Sequence, residues 1–499
     1  LGLERQAQFI DFNAGAVGRR DQHYRASFGR YGDFRAGLWF DQAPRLYTDQ
    51  ARTVFLGAGG GNLTLPPGLL PRNNTPAQIA AALQSAPFFE LGFDRRRAGL
   101  EFHATPGADW RIYARYGQDR KKGTQAIGGA SSYPGSPLVE APEPVDHTSH
   151  NVVAGIQWGG AAQQANLTYS GPFFRNATDT LTWENPLLVG DPAVHQRTRL
   201  DLYPDNAFHN LKLDLGAALP MRGRLSGGVS WSRMTQNDAL IPHTANSGVS
   251  GATDLANWNT VGSLSQQTAG ARIDTLLLHL SGAFSPVRDL TLQAKVRRFE
   301  ENNRTTYRAF NPLTGESGYL GLDGANNSNI VPGLYRVPIR NIPFEQRKDN
   351  YGLEADYRVL GRTNVTLGYE RENQHLEHRE YGRTGEDRWR AALNNRDFER
   401  ARVRLSYEHA KRSGDNYNFN PNALYYSGVA LIDAPATLAQ LRKYDIGDRT
   451  QNVVNGRVNF LLARDMDLGL SARVVDNDYD AAFGRLAERR TGFNGEWTL

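Results

Sequence analysis

Leu211-Lys212-Leu213-Asp214-Leu215-Gly216-Ala217-Ala218-Leu219, followed by Pro220-Met221-Arg222-Gly223 and then Arg224-Leu225-Ser226-Gly227-Gly228-Val229-Ser230-Trp231-Ser232, decides the fold class of this 499-residue chain. Successive side chains of a strand point to opposite faces. Leu211, Leu213, Leu215, Ala217 and Leu219 therefore share one face, and Lys212, Asp214, Gly216 and Ala218 share the other. After the turn, Leu225, Gly227, Val229 and Trp231 oppose Arg224, Ser226, Ser230 and Ser232. The unit is a hairpin with one apolar and one polar side, the pattern of a transmembrane β-barrel with its apolar side toward lipid.

The rhythm recurs along the chain. Phe34, Ala36, Leu38 and Phe40 alternate with Arg35, Gly37, Trp39 and Asp41, and Trp110, Ile112, Ala114 and Tyr116 with Arg111, Tyr113 and Arg115. Leu290, Leu292, Ala294 and Val296 alternate with Thr291, Gln293, Lys295 and Arg297, and Tyr351, Leu353, Ala355, Tyr357 and Val359 with Gly352, Glu354, Asp356 and Arg358. Ala401, Val403, Leu405 and Tyr407, then Leu468, Leu470, Ala472 and Val474, continue it. The count comes to roughly eighteen strands of the ~9–11 residues that a tilted strand needs to cross a bilayer. A helical membrane protein is excluded, because no run approaches the ~18 consecutive apolar residues of a spanning helix. The mean hydropathy of −0.55 is compatible with a barrel, half of whose strand residues face water.

The connections fall into two classes. Tight ones lie at Arg30 to Asp33, Thr105 to Asp109, Gly159 to Ala162, Pro220 to Gly223, Ser285 to Asp289, Leu360 to Arg362, Asn394 to Asp397 and Arg464 to Asp467. Between them lie mostly long polar segments: Gln42 to Glu90, Asp119 to His150, Pro172 to Asn206, Thr235 to Gly270, Asn302 to Lys348 and Lys411 to Asp448. Short periplasmic turns on one rim and long extracellular loops on the other give the barrel its orientation. A soluble β-sandwich, the competing architecture, would carry turns of similar length at both ends. It would also rarely place Trp110, Trp158, Trp231, Tyr116 and Tyr169 near strand ends on the apolar face, where the membrane girdle of a barrel belongs.

Chemistry is sparse. The chain has no cysteine, so it has no disulfide framework, thiolate metal site or covalent haem attachment motif, and no cofactor is expected on this chain. Gly57-Ala58-Gly59-Gly60-Gly61 lacks the Lys-Ser/Thr of a phosphate cradle. The pairs His147/His150 and His375/His378 have a helical ligand spacing, but in a strand i and i+3 face opposite sides, so no metal site is expected. No Ser, His and Asp set forms a catalytic constellation, and the protein reads as a non-enzyme. With 57 Lys+Arg against 52 Asp+Glu, the +5 excess is spread singly along strands, without the compact basic patch of a nucleic-acid binder.

The residues opposite the apolar rows are more informative. The lumen receives Arg35, Glu101, Arg111, Arg115, Lys212, Asp214, Lys295, Arg297, Glu354, Asp356, Arg358, Arg402, Arg404, Glu408, Arg457, Asn459 and Arg473, both signs with a basic excess. These are the candidates for partner contact. A barrel of sixteen or more strands encloses open space that its own side chains cannot fill. Either a solute passes through it or a partner occupies it.

The loops carry a resemblance. Leu46-Tyr47-Thr48-Asp49-Gln50-Ala51-Arg52-Thr53-Val54-Phe55 with Gly59-Gly60-Gly61-Asn62-Leu63-Thr64-Leu65-Pro66, and Ala141-Pro142-Glu143-Pro144-Val145-Asp146, are two of the stretches. Tyr169-Ser170-Gly171-Pro172-Phe173-Phe174-Arg175-Asn176, Trp183-Glu184-Asn185-Pro186, Pro204-Asp205-Asn206-Ala207 and Ser232-Arg233-Met234-Thr235-Gln236-Asn237-Asp238 are the others. In order and spacing the chain resembles the MtrB/PioB family of outer-membrane barrels. That resemblance implies a porin-like sheath that embeds a periplasmic decahaem c-type cytochrome, which carries the haem, with an extracellular multihaem cytochrome as a further partner. The reading from residues alone leaves a diffusion porin with anion preference open. Members tend to be longer, and some carry an N-terminal Cys-x-x-Cys that is absent here. Tight hairpins leave one strand over at each end, Phe9 to Val17 and Thr491 to Thr498. The expectation is a single barrel domain over 1–499, incomplete at both ends.

Overall fold

The computed structural model describes the chain apart from residues 1, 6, 131–137, 188–195, 251–252, 310, 316–338, 420, 422–437, 439, 464–465 and 499. Its wall is one antiparallel sheet of 19 strands in which each pairs with the next in the chain. The strands are β1 (Gly2–Arg5), β2 (Gln8–Gly15), β3 (His23–Arg30), β4 (Phe34–Ala51), β5 (Phe89–Ala104), β6 (Trp110–Ala130), β7 (Leu138–Gly159), β8 (Gln163–Asn176), β9 (Asn206–Leu219) and β10 (Gly223–Gln236). They continue as β11 (Ala271–Val287), β12 (Leu290–Asn303), β13 (Gln346–Leu360), β14 (Thr363–Leu376), β15 (Arg383–Asn395), β16 (Ala401–Gly414), β17 (Arg449–Ala463), β18 (Met466–Tyr479) and β19 (Ala487–Thr498).

The deciding hairpin is β9–β10, in register from Asn206 opposite Gln236 to Leu219 opposite Gly223. The Gly223 amide donates to the Pro220 carbonyl at 3.0 Å, and Met221 and Arg222 both hold φ near +55° (57° and 54°). Two central residues with positive φ make a type I′ turn, whose twist matches the strands it joins. Two non-glycine residues occupy that left-handed region.

Three expectations are corrected. Asp119 to His150 is not a loop: β6 and β7 run 21 and 22 residues and stay paired from Trp110–Trp158 to Ala130–Leu138. The polar run marks where the hairpin leaves the bilayer rather than where it ends. Likewise β4 continues to Ala51 before its loop begins. The strand at Phe9 is not left over, because β1 pairs with it, Glu4 opposite Phe9. Among the described residues the edge strands β1 and β19 do not pair with each other.

Pairing fixes the faces. Leu211, Trp231 and Leu276 stand in one row and Leu213, Val229 and Leu278 in the next, all on the same side. That side leaves Leu353 63% and Leu367 59% exposed, and Phe493 at the open edge 82%. A band of apolar side chains carried from strand to strand across the sheet is stable only against hydrocarbon.

Above the long-connection rim the chain forms a small folded cap. Thr180–Glu184 pairs antiparallel with Arg197–Asp201 and parallel with Asn62–Leu63. Phe55, Leu63, Leu65, Leu181, Trp183 and Leu202 bury their side chains there against Val139 and Ala141 of β7. Helix α1 (Pro76–Ser85) belongs to the same connection and starts with a capping box, the Thr75 hydroxyl against the Gln78 amide and the Gln78 side chain against the Thr75 amide.

Candidate partner-binding face of the barrel wall

The register places every charged candidate on the face opposite the apolar rows. Arg35 lies opposite His103, Arg111 opposite Gln157 and Arg115 opposite Glu101. Lys212 and Asp214 face Thr168 and Asn166, Lys295 faces Gly352, and Arg297 faces Asn350. Glu354, Asp356 and Arg358 share that face with Gly368, Thr366 and Asn364. Arg402 faces Asn459, Arg404 faces Arg457, and Arg473 faces Asn455.

These residues divide into two groups. Some are neutralised within the wall. Lys212 pairs with Asp214 at 3.0 Å, Lys295 with Glu370 at 2.6 Å, Arg358 with Asp289 at 3.5 Å and Arg457 with Glu496 at 2.7 Å. Asp356 accepts from Asn364 at 2.9 Å and Thr366 at 2.8 Å. Arg35, Arg111, Arg115, Arg297, Arg402, Arg404 and Arg473 are exposed and form no ion pair among the described residues, Arg297 resting over the Phe299 ring at 5.7 Å. Glu101 and Glu354 also form none among the described residues. The uncompensated charge on this face is therefore mainly positive.

No lumen candidate was drawn from β15, although its Asp387-Arg388-Trp389-Arg390-Ala391 has the same alternation as the other strands. Arg388 there joins Glu386 at 2.7 Å, Glu408 at 3.2 Å and Glu370 at 3.9 Å, and Arg449 closes on Glu386 at 2.8 Å. Its neighbour Arg390 has no such partner among the described residues. With Arg404, Arg457 and Arg473 it lines one depression in the wall. Direct opposition of Arg404 and Arg457 is unfavourable unless solvent or an outside anion intervenes.

The girdle candidates lie on the apolar face, at two levels. Trp110 and Trp158 are cross-strand partners beside the short turn, ring centroids 6.4 Å apart. Tyr116, Tyr169 and Trp231 are well inside their strands rather than near the ends, because β6 and β7 outrun the bilayer and β8–β10 continue past that row. Tyr116 hydrogen-bonds His150 Nδ1 at 2.7 Å, and Tyr169 hydrogen-bonds His209 Nδ1 at 2.8 Å. His147, three residues from His150, falls on the polar face between Phe174 and Tyr203. The two histidines cannot share a ligand.

The family model described as outer membrane beta-barrel porin, MtrB/PioB, matches residues 3–499. Outer membrane protein MtrB of Shewanella baltica (strain OS185) is 22% identical over 474 residues, covering 93% of this chain and 60% of the relative, so the chain spans less than two thirds of that protein's length. Among solved structures, the ferric yersiniabactin uptake receptor FyuA from Yersinia pestis superposes with a TM-score of 0.46 at 8% identity, over 92% of this chain and 60% of that one. The alcaligin outer-membrane receptor FauA from Bordetella pertussis gives 0.45 at 10%, over 97% and 63%. The chain belongs to the MtrB/PioB family, a family of outer-membrane β-barrel porins rather than of enzymes, and is a protein of the bacterial outer membrane.

Proposed function

We propose that the barrel is an insulating sheath that embeds a periplasmic multihaem c-type cytochrome, of the decahaem class the family resemblance implies, for electron transfer across the outer membrane. The observation that carries the reading is the set of exposed, unneutralised arginines on the polar wall, Arg35, Arg111, Arg115, Arg390, Arg402, Arg404 and Arg473. A partner bearing carboxylates or haem propionates would complete these charges across a large, wet interface. A cytochrome's polar surface cannot meet hydrocarbon without large desolvation costs, and a wide polar lumen removes that contact. The haem belongs to the partner in this reading, and an extracellular multihaem cytochrome would dock on the long-loop rim.

The same arginines favour one other reading, a diffusion porin selective for anions. Co-purification separates the two. The solubilised barrel should carry stoichiometric haem absorbance, and reversing Arg402, Arg404 and Arg473 together to Glu should lower that ratio while leaving the barrel folded. A colourless preparation that conducts anions in planar bilayers overturns the sheath.

A further inference from the structure

We propose that Arg233, Arg272 and Arg304, on the lipid-facing side of the wall, bind the phosphate groups of a phosphorylated glycolipid in the outer leaflet. This inference rests on the outer-membrane location and not on the cytochrome reading.

Three guanidiniums converge on one carboxylate. Asp274 Oδ1 accepts from Arg233 Nε at 2.7 Å, and Oδ2 accepts from Arg272 Nη2 at 2.7 Å and lies 3.4 Å from Arg304 Nε. Asp274 is nearly buried by them, its side chain 10% exposed, while Arg304 keeps 61%. Glu345, on the following loop, is near enough to feel both Glu377 and Arg304, but neither glutamate makes an ion pair with the three arginines among the described residues. Positive charge is in excess. The neighbouring cluster is not: Arg298 and Arg347 are matched by Glu300 and Asp349.

The level of the cluster is set by its register. Arg233 pairs with His209 on one side and Asp274 on the other, and His209 is the residue that holds the hydroxyl of Tyr169. The next row toward the short turns is Leu211, Trp231 and Leu276, so the arginines begin where the apolar band ends. Arg233 lies 5.1 Å from the Trp231 ring centroid, which fixes its stem against the interface. The Arg304 amide donates to the Arg272 carbonyl at 2.8 Å, tying the third arginine to the pair. Arginine forks match phosphate oxygens in two-point hydrogen bonds, and at headgroup depth they are only partly hydrated. In a Gram-negative outer membrane with long loops outward, the anions at this depth are the phosphates of lipid A.

The test uses the full-length protein, delipidated in detergent and titrated with bisphosphorylated lipid A or with the same lipid after phosphate removal, bound lipid being counted by native mass spectrometry. The phosphorylated form should bind at least tenfold more tightly. Arg233→Gln with Arg304→Gln, which leaves the Arg272–Asp274 pair intact, should abolish the preference, and Arg233→Lys with Arg304→Lys should keep most of it. Equal binding of both lipids by the unaltered protein overturns the proposal however the variants fold. Displacement of lipid A by an equal concentration of inorganic phosphate also overturns it, since the site would then serve a soluble anion.

Discussion

The hydroxyl of Tyr169 reaches diagonally across β8 and β9 to Nδ1 of His209, 2.8 Å away, two residues toward the long-loop rim from its own register partner Leu211. Three other tyrosines on the lipid face make the same diagonal: Tyr116 to His150 at 2.7 Å, Tyr369 to Asp387 at 2.6 Å and Tyr407 to Asn452 at 2.8 Å. Each tyrosine sits on a strand running toward the long loops, and each acceptor or partner on the next strand running back. The rings end the apolar band and the hydroxyls point out of it, as an amphipathic side chain at a membrane interface should.

Replacing Tyr169 by Phe removes one hydrogen bond and leaves His209 facing the interface unpaired. The expected loss is about 0.5–1.5 kcal/mol, nearer the lower figure where water can reach the imidazole. Urea unfolding of the barrel in lipid vesicles would measure it. A double-mutant cycle with His209→Leu should return a coupling of the same size, and additivity of the two changes would show that the contact contributes nothing.

The strands, their faces and the division into a short-turn rim and a long-connection rim were legible because period two holds between the few register shifts, such as that at Phe284 and Val287: Arg35 and Arg473, near opposite ends of the chain, stand on the same face. What stayed hidden depends on register between distant segments. Lys295 and Glu370 are 75 residues apart in sequence yet bonded, so the wall's neutralised and unneutralised charges look alike until strands are paired. The extent of β6 and β7 was misread for a related reason. Arg120, Lys121, Lys122 and Asp146 end the hydrophobic pattern at the membrane surface, but the backbone ladder continues, with Arg120 and Lys122 clasping Asp146 at 3.1 and 3.3 Å. The folded cap, built on Trp183 and Leu63 from different loops, left no local signal.

That cap should fail separately from the wall. Trp183 is 1% exposed, packed with Phe55, Leu65 and Leu181 and against Gly129 of β6. Trp183→Ala opens a cavity in a small core, a change that costs about 3–5 kcal/mol in well-packed sites. Limited proteolysis of whole cells should then cut within the connection 52–88 while the barrel keeps its heat-resistant electrophoretic mobility. Unchanged resistance would mean that the cap is held by something other than this core.

On the polar face, Tyr113 lies across Gly155 and hydrogen-bonds Thr168 at 2.7 Å. A Cβ at position 155 would come within 2.3 Å of the ring, so Gly155→Ala must displace the tyrosine and break that bond. The expected cost is about 1–3 kcal/mol, the range for overpacking. Adding Tyr113→Ala should recover part of it, because the added methyl then has room. A double variant less stable than Gly155→Ala alone would contradict the packing argument.

The last expectation concerns acid. His243, in the connection between β10 and β11, stacks edge-on against Trp258 at 5.2 Å, and burial holds its pKa below the ordinary 6.5. A histidine with a depressed folded pKa is neutral when folded and takes up its proton more readily when the loop opens. The unfolded form therefore binds more protons between the two values, and stability falls with falling pH across that window. The connection should be fully stable above about pH 6.5 and loosen progressively below it. Hydrogen exchange, corrected for its intrinsic pH dependence, would read this at Trp258 and Ser263, whose amides close short turns on Leu255 and Thr260 at 2.9 and 3.0 Å. His243→Phe keeps an aromatic ring against Trp258 and removes the titration. Its protection at pH 5 should match that at pH 7, and a variant that loosens in acid as the parent does would place the sensitive group elsewhere in the loop.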